Sequence, residues 1–125
     1  QNLAFMDRFR VIHVDYPEPD IERQVVKEAA PKLPDLIIDK MIAVANEIRR
    51  LFVGDPSRGG PELTVTMSTR TLCRWAALAL TFKGAPKVFE YALSQALTAR
   101  AEPEQREAIH RIAADVFGDY WAPQP

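Results

Sequence analysis

PDLIIDKMIAVANEIRRLF, residues 34–52, is the stretch that decides the fold. Ile37, Met41, Val44, Ile48, Leu51 and Phe52 recur at three- and four-residue intervals, so one face of a helix is apolar. Asp39, Lys40, Glu47 and Arg50 fall on the other side. Pro34 and Asp35 suit the first turn. Gly54, Pro56, Gly59, Gly60 and Pro61 end the run. A helix of this length with a single apolar stripe has to bury that stripe against other elements, and the flanking sequence supplies helices to do it.

Upstream, Pro19-Asp20 precedes Ile21, Val25 and Ala29, with Glu22 in the first turn, an amphipathic pattern that stops before Pro31. Downstream, Leu63 to Met67 is a short extended connector, and Ser68 is an N-cap for a third helix. Leu72, Trp75, Ala76 and Ala79 form the inner face of that helix, and Gly84 with Pro86 closes it. A fourth helix carries Phe89, Ala92, Leu93, Ala96 and Leu97. Pro103 fits the first position of a fifth, with Glu104 and Glu107 near its positive end and Ile109, Ile112, Val116 and Phe117 as its stripe. Gly118 fits the stop, and Ala122 to Pro125 form a frayed tail. At the N-terminus, Phe9 to Tyr16 favours a strand that Pro17 and Pro19 end. A lone strand leaves its backbone groups without partners, so this one belongs to a sheet elsewhere or packs as an extended arm. The expected fold is mainly α, a small helical bundle with one short N-terminal strand or arm.

Composition narrows the function. The 125 residues carry 16 basic and 17 acidic side chains, a formal charge of −1. That balance disfavours a nucleic-acid module, which needs a basic patch. The single cysteine, Cys73, excludes an internal disulfide and fits a reducing cytosol. No apolar run approaches a membrane span, no signal pattern opens the chain, and Gln1 in place of Met points to a processed chain or an excised piece.

The chemistry concentrates in Met67-Ser68-Thr69-Arg70-Thr71-Leu72-Cys73-Arg74-Trp75-Ala76. A capping hydroxyl, Ser68, opens a helix, and Arg70 lies in its first turn. Helix starts favour anions, and a guanidinium offers a rigid fork of donors for phosphate oxygens. Arg74 lies one turn on, on the same side. The competing reading of Arg70 is a surface arginine paired with a carboxylate. A second candidate is Arg8, directly before the strand, where an arginine can reach into a neighbouring subunit; Asp7 is its alternative partner, and Phe9 a core anchor. His13 and His110 are too far apart in sequence and too few for a metal site. Cys73 reads as a quiet, buried thiol. There is no phosphate-binding loop: Arg58-Gly59-Gly60 lacks the lysine and the strand-to-helix setting. No carboxylate pair stands out, so the chain alone is expected to hydrolyse nothing.

Taken together these pieces resemble the end of an AAA+ ATPase of the MoxR-like and CobS-like branch. In that family a stretch similar to Ala4-Phe5-Met6-Asp7-Arg8-Phe9 precedes the last core strand, which Phe9 to Tyr16 resembles. Pro17 to Asp20 resembles the crossing into the lid. Ala96-Leu97-Thr98-Ala99-Arg100 and Phe117-Gly118 are also similar to this lid. The resemblance implies residues 1–18 as a remnant of the α/β core and residues 19–125 as the helical lid. It implies Arg8 as the arginine finger acting on a neighbour's ATP, and Arg70 as the sensor-2 arginine on the γ-phosphate. From their positions at the same helix start, Ser68 and Arg74 are further cofactor-binding candidates, Arg74 either assisting Arg70 or simply facing water. The resemblance further implies a C-terminal piece of a longer cytoplasmic enzyme that uses ATP and Mg2+ in a homo-oligomeric ring. That enzyme would remodel a partner protein or a metal-loading complex. This chain alone is expected to bind neither nucleotide nor metal. The other class of function is a non-enzymatic helical interaction module, with exposed Tyr120 and Trp121 and the loop over residues 54–61 as its surface.

Overall fold

A computed structural model describes residues 16–53 and 63–121. The strand expected over Phe9–Tyr16 lies outside them apart from Tyr16, which is in irregular backbone. The glycine- and proline-rich loop and the C-terminal tail also lie outside.

Five helices make up the described part: α1, Pro19–Ala29; α2, Asp35–Val53; α3, Thr69–Thr81; α4, Val88–Leu93; and α5, Pro103–Phe117. No strand occurs among the described residues. α2 is the central helix, as its stripe requires: Ile37, Met41, Val44, Ile48 and Leu51 are all buried. It packs on α1, α3 and α5. Each such aliphatic side chain contributes roughly 1.5–3 kcal/mol of burial. α3 is the second axis, lying against α1, α2 and α4. Its expected inner face, Leu72, Trp75, Ala76 and Ala79, is buried in full. The Trp75 indole donates from Nε1 to the Phe89 carbonyl at 3.0 Å, and its ring lies 5.7 Å from that of Phe117. Phe117 also meets Phe89 at 5.1 Å and Trp121 at 5.3 Å. This aromatic group locks α3, α4 and α5 together.

Three expectations need correction. In α1 the buried residues are Glu22 and Val26, followed by Ala30, whereas Ile21 is 54% exposed and Val25 38%. The helix is rotated from its apolar pattern because Glu22 finds charged and hydroxyl partners in the interior. The fourth helix is α only to Leu93; Ser94–Thr98 then forms a π-helical turn. That turn carries Thr98 into the core, where its hydroxyl and His110 Nε2 lie 2.7 Å apart. Arg106 covers the backbone beyond it, donating from Nε to the Thr98 carbonyl at 3.2 Å. Lastly, Trp121 is buried, at 7% exposure, not available at the surface; Tyr120 beside it is exposed.

Candidate functional site

The mouth of α3 is built by local capping and by a buried polar cluster behind it. Ser68 has extended backbone and accepts a hydrogen bond on Oγ from the Thr71 N–H at 3.1 Å, as an N-cap should. Its hydroxyl donates to Thr71 Oγ1 at 3.1 Å. Behind the cap, Arg49 from α2 and Glu22 from α1 form a fork-to-fork ion pair. Arg49 Nη1 donates to Glu22 Oε1 at 2.9 Å, and Nη2 donates to Oε2 at 2.6 Å. Arg49 Nε donates to the Met67 carbonyl at 2.8 Å, and Nη1 also reaches Asn46 Oδ1 at 3.0 Å. The Tyr16 ring lies 3.8 Å from the guanidinium carbon, a cation–π contact. Glu22 Oε2 accepts a further bond from the Thr69 hydroxyl at 2.9 Å.

Burial pushes the Glu22 carboxyl up, but the hydrogen bonds from Arg49 and Thr69 and the charge of Arg49 outweigh it, so the group lies below its ordinary 4.5. Its contribution to stability is present above that ordinary value and is lost as pH falls through the lower, folded value. His110 acts earlier in an acid titration. Burial holds it below its ordinary 6.5, although the nearby Glu90 carboxylate, 3.5 Å from Nδ1, opposes this. The unfolded chain therefore takes up the histidine proton first, and stability also falls as pH drops below about 6.5. The melting temperature is expected to decline in two stages on acidification, and Glu22→Gln is expected to remove the lower stage. A Glu22→Gln melting curve parallel to the parent's below pH 4.5 would contradict this assignment.

Arg70 is exposed in the first turn of α3, and its side chain makes no hydrogen bond or ion pair among the described residues. Among the described residues no carboxylate forms the surface pair considered for it. No acidic residue occupies that first turn. Glu22 is the nearby carboxylate tied to this turn, and Arg49 neutralises it. The helix start and the Arg70 charge therefore add, making this end of α3 favourable for an anion. Arg74 is exposed one turn further along the same side. The fold thus brings Ser68, Arg70 and Arg74 together at one end of one helix; Arg8 lies outside the described residues. Cys73 is half-buried, with Sγ 3.9 Å from the Val25 carbonyl, and burial followed by the negative charge of Glu22 pushes its thiol up, as suits an inert cysteine. Among the described residues no group of three or more metal-ligating side chains forms. No helix there is long and apolar enough to cross a membrane.

The pattern of apolar residues did not reveal Glu22 and Arg49. A signal was present: Arg49 continues the buried row Ile38, Ile42, Ala45 at helical spacing, and Glu22 precedes buried Val26 and Ala30 by four and eight positions. A charged residue in line with a buried row is a buried charge that needs a partner.

Residues 22–116 match the family described as CbbQ/NirQ/NorQ C-terminal. No curated protein and no solved structure matches the chain.

Proposed function

Because the chain belongs to the CbbQ/NirQ/NorQ C-terminal family and is the helical lid of a MoxR-like AAA+ ATPase, we propose that it senses the γ-phosphate of ATP through Arg70. The observation that carries this reading is the placement of Arg70: an exposed, unpaired guanidinium among the described residues, at a capped helix start whose backbone is held from behind. That combination suits a phosphate group. Arg74 assists from the next turn, and Ser68 keeps the mouth of the helix formed. Arg8 serves in trans as the arginine finger on ATP held by the neighbouring subunit of a homo-oligomeric ring. ATP supplies the anion and the hydrolysis energy when bound. Mg2+ would accompany the ATP phosphates in the intact enzyme. Release of Arg70 on hydrolysis frees the lid, and the ring converts that motion into remodelling of a partner protein or metal-loading complex.

The interaction-module alternative loses support, since Trp121, half of its aromatic surface, is buried at 7% exposure. Hydrogen exchange on the intact protein tests the sensing reading. Peptides covering residues 68–74 are expected to exchange more slowly with a non-hydrolysable ATP analogue than with ADP. Equal exchange in the two states would remove the γ-phosphate from the role given to it.

A further inference from the structure

Four separate parts of the chain meet on the Arg49 guanidinium. They are the lead-in segment at Tyr16, α1 at Glu22, α2 itself at Asn46, and the connector at Met67. Met67 lies one residue before the cap. Thr69, whose hydroxyl donates to Glu22 Oε2, the oxygen that also accepts from Arg49 Nη2, lies one residue before Arg70. The lead-in segment is tied to the connector a second time, by the Tyr16 hydroxyl 3.3 Å from Thr66 Oγ1. Arg49 is 5% exposed and Glu22 1%.

Cohesion alone does not call for this arrangement. Apolar side chains of the same volume hold segments together at least as well as a buried ion pair does. A planar fork with donors in fixed directions adds orientation, since each acceptor can sit in only one place. Here the acceptors are the backbone just before the α3 cap and the carboxylate that grips the first residue of α3.

We propose that the Glu22–Arg49 pair, acting through Thr69 and the Met67 carbonyl, is a positioning element that fixes the mouth of α3, and with it Arg70, relative to the lead-in segment at Tyr16. The pair does not touch the phosphate; it sets where Arg70 stands and passes any displacement of Tyr16 to it. The inference rests on the phosphate-sensing reading of Arg70.

The test is made on the intact ATPase. Thr69→Val keeps the side-chain volume and removes only the hydroxyl bond to Glu22. It is expected to lower turnover about tenfold, as small misplacements of a positioned group do. It should also speed hydrogen exchange over residues 68–72 and lower the melting temperature by several degrees, as loss of one hydrogen bond to a buried carboxylate does. It should weaken binding of a non-hydrolysable ATP analogue and leave ADP affinity as it was. In an Arg70→Ala background the same substitution should cost no further turnover, because there is no longer a guanidinium to misplace. A merely structural role would lower both backgrounds alike, and that result overturns the inference. So does parental exchange over residues 68–72 in Thr69→Val. Full turnover in Arg70→Ala by itself would instead overturn the sensing reading, and the exchange measurement would still decide whether the pair positions the helix mouth. The double variant Glu22→Leu/Arg49→Met supplies a second route. It is expected to fold, to bind ADP normally and to bind the ATP analogue about tenfold more weakly; parental affinity for the analogue would count against the proposal.

Discussion

Arg70→Ala in the intact ATPase is expected to lower ATP turnover about 100-fold, the size of loss that follows removal of one preorganised donor from a developing charge. The expectation follows from what Arg70 lacks as well as where it stands. No carboxylate of the described lid pairs with it, so none has to be displaced before it can meet a phosphate. Its first turn holds no acid that would repel one. Arg70→Lys should recover only part of the loss, because an ammonium keeps the charge but not the two-pronged geometry. The melting temperature of Arg70→Ala should stay near that of the parent, since an exposed side chain without partners contributes little to stability. Undiminished turnover with an unchanged melting temperature would show that the phosphate is handled elsewhere.

Arg49→Met is expected to produce the largest loss of stability in the lid. Methionine fills much of the same space but leaves the Glu22 carboxylate buried with only the Thr69 hydroxyl as a donor. Stranding one member of a buried pair costs about 3–5 kcal/mol. In a domain of this size that corresponds to a fall in melting temperature on the order of 15–30 °C. Adding Glu22→Leu should restore most or all of the loss, because an apolar pair of similar volume is at least as stable as the ion pair. Melting of the parent, the single variant and the double variant by circular dichroism decides the matter. A single variant that melts within a few degrees of the parent would mean that the carboxylate simply takes up a proton or reaches water.

The helices were legible in the sequence wherever the signal was local. The α2 stripe, the Ser68 cap, the α3 face and Pro103 at the start of α5 all follow from residues within a turn or two of one another, and the structure has each of them. The rotation of α1 was not legible, because it depends on an arginine 27 residues away. Hydrophobic periodicity assigns Glu22 to water, and only the tertiary partner reverses that. The π-helical turn was hidden for a similar reason: Ala96 and Leu97 have ordinary helical spacing, and the wider turn is compensated by Arg106 and His110 from α5. Of the candidate site, the residue types and their order at the helix mouth were readable. The cluster that holds them in place was not.

The fixed mouth of α3 has an entropic consequence. The backbone from Met67 to Thr71 is already ordered by Arg49, Glu22 and the Ser68 cap. An anion arriving there has to immobilise little beyond the side chain of Arg70, whose rotamer freedom is worth about 2 kcal/mol. The larger cost of arranging a loop is met once, when the chain folds, and does not recur with each visitor.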